Sequence, residues 1–585
     1  MAENKRANIP VASHGLHKHS YNFPWLGTTN FCEVLPVYYN TLRAGEKDNV
    51  NAGLYSQLMP IAHNAFVTGR YNFKAIYVPF FRVWRPYTCF KEQTEFRFSS
   101  QTVGHPDYFA RVNSTPYVVM GDLNQAFLYE ANKYVIAGDE DNFDFVSDED
   151  QDNFYLLTNT GKRVYKILVS LGMSPNWVTR DRSHVNILAA MCYIKAFADY
   201  YFPNQYVNNK IYKDLAVFFN SEEILFDAQK FLRALEYCSL GFYDGSFFEN
   251  VWDNPVSPNV LNSVPDVSFS DPTLNSNGGS VDTPFGVETE SNNKTPAALA
   301  SVEDDNTVGF TQYVINALKS LSMWMKRKQF SGARLIDRYL VSRGIPISRA
   351  ENDMSYFMGQ RNIEIEVSGV ENNTDSNLGE LAGRAVASSK NEPLSFKIRA
   401  EEDGIFLIIC HALPDSSFPV YLDGFTQRVD ATQFYNGEFD KLGPVDVSVK
   451  SVAYSPVDGT ENADALDKVF GFGQNYWDEI QERPRLLGDF IIKSRGSEEL
   501  SAYHSFRLFR TENIGDLAHG FEFIRQADNI QYQRFFYSED QDNLMLFLRF
   551  YGDQFKEKLP LGDSYEWDDD ETNRRVNIVV NGSQK

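Results

Sequence analysis

Asn543–Tyr551 reads NLMLFLRFY. Leu544, Leu546, Leu548 and Phe550 occupy every second position. Side chains alternate across a strand, so these four share one face while Met545, Phe547 and Arg549 share the other. The first face is wholly apolar and suits the core of a sandwich. The second is mixed and ends in a charge, which suits a neighbouring element or subunit. The spacing predicts a strand that closes the fold, with Asp542 before it and a turn at Gly552 after it.

The same period recurs upstream. Candidate strands are Asn362–Val370, Leu394–Arg399, Gly404–Leu413 and Asp489–Lys493. Gly404–Leu413 (GIFLIICHAL) is nearly continuous in apolar residues, the pattern of a strand covered on both faces. Near the start, Phe31–Tyr39 (FCEVLPVYY) and Phe73–Trp84 (FKAIYVPFFRVW) carry strand signals. Pro79 lacks an N–H for the ladder, so it marks a strand end, an edge or a bulge.

Between these runs the period changes. His184–Tyr201 reads as a helix, with Val185, Leu188, Ala189, Cys192 and Ala196 near one face, and Phe202-Pro203 stopping it. Asn220–Leu240 is a second helix candidate, with Asn220 or Ser221 as its cap. Val308–Phe330 is a third: Val314, Leu318, Leu321 and Met325 follow helical spacing, and Lys326, Arg327 and Lys328 sit at the negative end of its dipole. Asp139–Asp152 carries eight acidic residues and reads as a solvated surface loop. Residues 252–309 are rich in turn formers and read as a projecting or mobile loop. Strands open and close the chain with helices and loops between them. The expected fold is therefore mainly β: one sandwich with large insertions. Residues 1–26 read as an N-terminal arm. Residues 27–552 form the β domain, with helices and loops inserted at about 90–350, and 553–585 form a C-terminal tail.

Composition narrows the function. The chain has 585 residues, 43% hydrophobic and 15% aromatic, enough for a large core and extensive contact surfaces. A net charge of −23 argues against a dedicated nucleic-acid binder, because such a chain repels phosphate except at local basic patches. Five cysteines without C-x-x-C spacing read as reduced thiols of a cytoplasm-made protein. The first residues lack an apolar signal segment, and no apolar run is long enough to predict a membrane span.

No enzymatic motif stands out. Cys410-His411 and His504-Ser505 are strand neighbours, which point to opposite faces and are badly placed as dyads. Gly471-Phe472-Gly473 lacks the third glycine and the strand–turn–helix setting of a nucleotide loop, and reads as a turn. His14, His17 and His19 show no fourth metal ligand, and the acidic run lacks the glycine and terminal glutamate of a calcium loop, so no metal or cofactor is expected. Basic residues in the first twenty positions, at Lys162, Arg163 and Lys166, and at 326–328 are the hints of DNA contact. Each also reads as a solvated face.

Several segments resemble the major capsid proteins of microviruses, especially the gokushovirus-like branch. They are FCEVLP at Phe31–Pro36, Leu58–Pro60, and YNFKAIYVPFFRVWRP at Tyr71–Pro86. Further along come KQFSGARLIDRYLVSRGI at Lys328–Ile345, Asn362–Val370 followed by LGELAGRAVA at Leu378–Ala387, and VFGFGQNYWDEIQERPRLLGDF at Val469–Phe490. In the last, Phe470, Gly471, Tyr476, Pro484 and Gly488 match the family pattern, and Tyr503-His504 follows where the family has a related pair. Val37-Tyr38 replaces the family's Gly-Asp. The matches keep the family's order, and residues 100–310 match poorly.

The resemblance implies a single eight-stranded antiparallel jelly-roll sandwich with no enzymatic activity. It implies sixty copies, built from pentamers, in a T=1 shell around circular single-stranded DNA, located in the virion and assembled in a bacterial cytoplasm. A small basic DNA-binding protein, a pilot protein and a host surface receptor are its implied partners, with no membrane insertion. DNA contact is expected to be weak and local, through Lys5, Arg6 and Lys18 of the arm and through Lys326, Arg327 and Lys328. The alternatives are a carbohydrate-binding jelly-roll surface protein or a glycoside hydrolase using two carboxylates.

Overall fold

The computed structural model describes residues 16–58, 69–99, 109–129, 133–135, 157–176, 178–203, 210–242, 268–270, 286–288, 320, 340, 344, 353–371, 381–388, 394–414, 422–437, 444–451, 469–474, 476–480 and 542–557. The chain is mainly β and its strands pair antiparallel. In chain order the principal strands are β1 (Leu16–Thr29), β2 (Val34–Leu42), β3 (Lys47–Leu58), β4 (Gly69–Pro79), β5 (Tyr356–Glu371), β6 (Leu381–Ser388), β7 (Leu394–Arg399), β8 (Gly404–Pro414), β9 (Pro444–Ser448), β10 (Val469–Gln474) and β11 (Leu544–Glu557). The helices used below are α1 (Met120–Tyr129), α2 (Asn159–Ser170), α3 (Leu188–Tyr200) and α4 (Ala228–Cys238), all between β4 and β5.

Two groups of strands form the core. In the first, β1 pairs with β11, β11 with β3, and β3 with β7. In the second, β2 pairs with β8, β8 with β4, and β4 with the first half of β5. The second half of β5 pairs with β6, and β6 reaches β3, so one path of hydrogen bonds links both groups into nine strands rather than the eight expected. β9 and β10 form a separate pair.

The groups meet through their apolar faces. Leu544, Leu546, Leu548 and Phe550 of β11 are buried, as their alternation predicts, while Met545, Phe547 and Arg549 face outward. Leu394, Phe396 and Ile398 of β7 and Val50, Ala52 and Leu54 of β3 join the same layer. Across the gap, Tyr38 of β2 lies 5.2 Å from Phe550, ring to ring, and Ser56 Oγ lies 2.5 Å from the Tyr71 hydroxyl. β8 is buried along its whole length, because α3 packs on the face that the first group leaves open. α2 covers β2 in the same way. Each buried Leu, Ile or Phe contributes roughly 1.5–3 kcal/mol, so these strands hold the fold against its entropy cost.

Several expectations change. The arm is not structureless beyond residue 15: Leu16–Thr29 is an edge strand in register with β11 from Leu16 opposite Glu557 to Thr29 opposite Leu544. The tail therefore does not begin at 553, because β11 runs on to Glu557. Gly552 is a strand residue rather than a turn; a Cβ there would lie 2.0 Å from the Asn49 carbonyl oxygen on β3. Gly552→Ala should accordingly cost about 1–3 kcal/mol, read as a lower urea midpoint, although alanine is better tolerated than glycine in most strands. An unchanged midpoint would mean that β3 and β11 are not this close.

The strand expected at Phe73–Trp84 ends at Pro79, and Phe80–Val83 turns helical. β2 starts at Val34 rather than Phe31. α3 starts at Leu188, with His184–Asn186 in a short strand, and it is buried on nearly all sides rather than on one face. The helix expected from Asn220 starts at Ala228, capped by Asp227, whose side chain accepts from the Gln229 N–H. Asn220 instead has φ 63°, outside any helix start. The Gly471–Gly473 segment lies inside β10, not in a turn. Asp139–Asp152, Asp489–Lys493, nearly all of 252–309 and nearly all of Val308–Phe330 lie outside the described residues. Among the described residues no helix is long and apolar enough to cross a membrane.

Candidate nucleic-acid interface and its buried supports

Of the six residues expected to touch DNA, Lys5, Arg6, Lys326, Arg327 and Lys328 lie outside the described residues. Lys18 sits on edge strand β1, where its ammonium lies 2.9 Å from Asp553 of β11 and remains half exposed. The Asp553 carboxyl lies below its ordinary range because Ser20 and Lys18 donate to it. Lys18 thus spends part of its charge inside the sheet.

Lys166 is no solvated residue. From α2 its ammonium reaches Glu33 Oε2 at 2.6 Å and Asp542 Oδ2 at 3.1 Å. Thr28 and Asn30 donate to Asp542, and Thr29 and Asn30 to Glu33. The cluster ties the turn between β1 and β2, the start of β11 and a helix into one buried knot. Burial opposes the charge on Lys166, yet the two carboxylates overcome it and raise its pKa. Burial likewise pushes Asp542 up, but Lys166 and Thr28 outweigh that and hold it below the usual carboxylate range. Arg163, on the same helix, is also buried. Sequence missed this cluster because its members are over five hundred positions apart at the extremes, Thr28 and Asp542.

A second buried polar group bolts the two strand layers together. Asp48 of β3 is fully buried and accepts from Tyr38 OH at 2.8 Å, Asn40 Nδ2 at 2.6 Å and Tyr21 OH at 3.1 Å. Lys556 Nζ donates to Asn40 Oδ1 at 3.0 Å. Burial raises the Asp48 pKa against these donors, and burial also raises both tyrosines. With three donors aimed at it, the carboxylate is satisfied without a direct ion pair, which keeps its cost tolerable.

Cys410 and His411 face opposite layers, as neighbours on a strand do. The Cys410 thiol is buried and its pKa is pushed up, which keeps it protonated and unreactive. His411 packs edge-on against Tyr201 of the helical layer. His17 and His19 lie on β1, and among the described residues no three His, Cys, Asp or Glu side chains group as metal ligands. An open cavity of about 660 Å³ lies between α1 and the start of α4, lined by Asp122, Gln125, Leu225 and Asp227.

These features define a class, an antiparallel β protein in which, among the described residues, one strand layer is covered by helices and the other is not. No protein-family model matches the chain, and no curated protein matches it.

Proposed function

We propose that the chain is a major capsid protein of the microvirus type, folded as a single jelly-roll sandwich and assembling into a T=1 shell around single-stranded DNA. The observation that carries the reading is the strand order. The first layer runs β1, β11, β3, β7 and the second runs β2, β8, β4, β5. Among the described residues the first and last strands are neighbours, and from β1 to β4 successive strands alternate between layers, whereas β4 and β5 lie side by side in the second. That order favours a jelly-roll winding, an architecture shared by viral capsid and lectin domains. The ordered capsid-like segments from FCEVLP to VFGFGQNYWDEI favour the capsid over the lectin.

The helices between β4 and β5 support the same reading, since α2 and α3 cover one layer. In this reading the chain works with itself, the genome and a small basic partner that offsets its charge.

Expression of the full chain, followed by negative-stain microscopy and light scattering, tests it. Rings or closed shells of uniform diameter are the expected result. A stable monomer at high micromolar concentration would overturn it.

A further inference from the structure

The outward face of the first strand layer combines rings and cations in an order that favours one kind of ligand. Residues directly opposite each other in antiparallel strands point to the same side. Along β11 the outward positions run Phe547, Arg549, Tyr551. Phe547 lies opposite Tyr55 of β3 and Leu26 of β1, and Arg549 opposite Gly53. Phe547, Tyr55 and Tyr551 are 39%, 41% and 43% exposed, high for rings in the middle strands of a sheet.

The cations follow the same face. Arg549, Lys47 of β3, and Lys397 and Arg399 of β7 are all exposed and point outward, and none forms a salt bridge among the described residues. Lys47, Lys397 and Arg399 sit together where β3 meets β7, and Arg549 stands about 20 Å further along the same face, on a chain with net charge −23. Gly53 adds an independent sign. Glycine weakens a central strand unless something must approach closely. A Cβ at Gly53 would meet nothing within 4 Å, so the space beside Arg549 is open.

We propose that this face is a binding surface for single-stranded nucleic acid, with unstacked bases lying on Phe547, Tyr55 and Tyr551 and phosphates meeting Arg549, Lys47, Lys397 and Arg399. Phe547 and Tyr551 are about 13 Å apart along the strand, with the guanidinium of Arg549 between them. That alternation matches a single strand, which offers a flat ring and an anion in turn. A duplex hides its rings in the stack and cannot use the aromatics. Arg549 Nε donates to Asn22 Oδ1 of β1 at 3.1 Å, which steadies the guanidinium on the β1 side and leaves the gap at Gly53 on the β3 side clear. The inference rests on the capsid reading for where such a strand would come from, but its chemistry stands on this face alone.

The test uses the purified full chain and a fluorescent oligothymidylate of about twenty nucleotides, long enough to cross the sheet. Anisotropy should show binding that weakens steeply with salt and is much tighter than for a duplex of the same length. Phe547→Ser with Tyr551→Ser should weaken it tenfold or more. Arg549→Gln should make the slope of log affinity against log salt shallower by about 0.7. Gly53→Val, which suits a strand and fills the gap, should weaken binding while thermal melting stays at the wild-type value. Unchanged oligonucleotide affinity in all three variants would overturn the proposal, as would equal affinity for duplex. So would a change in oligomer mass on substitution with oligonucleotide affinity intact, which would mark the face as a contact between copies. Microscopy reads the capsid proposal separately. Shells from a chain whose binding ignores these substitutions would sink this inference alone. Binding that follows the prediction in a chain that never forms shells would sink the capsid reading alone.

Discussion

Leu546→Asp should yield no folded soluble protein. Leu546 is fully buried near the start of β11, and its strand neighbours are Ser56 of β3 and Gly27 of β1. None of these offers a cation. The new carboxylate would have to stay charged without a partner or take up a proton, and either course costs at least several kcal/mol. Typical domains are stable by only about 5–15 kcal/mol, so one such change removes much of the margin. β11 also joins β1 to β3, so its loss frees both. The control is Arg549→Ala, one row away on the exposed face, which should leave folding within about 0.5 kcal/mol of wild type. Soluble yield and thermal melting of the two variants check the pair. A normal yield from Leu546→Asp would show that the strand or its register has been misread.

Lys166→Met should be nearly as damaging, and its effect should depend on pH. Methionine fits the stem of the lysine but leaves Glu33 and Asp542 facing each other, largely out of solvent, with Lys162 acting on Asp542 only through its field and without a hydrogen bond. Breaking a buried ion cluster in this way costs about 3–5 kcal/mol. In the wild type Asp542 titrates below its ordinary range, so its stabilisation is fully present above about pH 4 and fades only as pH falls through the lowered value. Lys166 titrates above its ordinary range, so its share persists to about pH 10 and is lost only as pH rises through the raised value. Without Lys166 the sign reverses. One carboxylate of the pair must then take a proton in the folded state, and stability rises as pH falls from 7 towards 5. Urea midpoints at the two pH values check this: the deficit of the variant should be large at pH 7 and smaller at pH 5. An equal deficit at both would mean that lost packing, not charge, explains the loss.

The legibility of the chain follows the range of the interactions. β7 coincides with the run read from sequence, Leu394–Arg399, and β8 extends the expected run only to Pro414. β8 lies between two strands and, among the described residues, β7 pairs with β3 alone, but the burial of both is written in consecutive or alternate apolar residues. β1 was missed because an edge strand with one exposed face keeps little alternation: Leu16, Phe23 and Leu26 are exposed, while Trp25 is only half-buried. The start of α4 was misplaced because Asn220 and Asp227 are both good caps on paper. Backbone geometry chose Asp227, with Asn220 taken up at positive φ and bonded to Arg85.

The functional residues were harder to read. Basic residues drew notice where they cluster along the chain, at Lys326–Lys328 and at Lys162–Lys166. The structure turns Lys166 inward to a carboxylate pair. The exposed cations of the open face instead come singly, from Lys47, Lys397, Arg399 and Arg549 on three strands. No window of sequence joins them; the register of β3 with β7 and β11 does.

Sequence alone determined the interior run of β8, the run of β7 and the apolar face of β11, because a period of two or an unbroken apolar run is a local property that water enforces on each segment separately. Only the tertiary structure decided which strands are neighbours, which layer stays open, and that Lys166, Glu33 and Asp542 share one buried site. Those choices are made by contacts between residues hundreds of positions apart, whose energies exist only once both partners are in place.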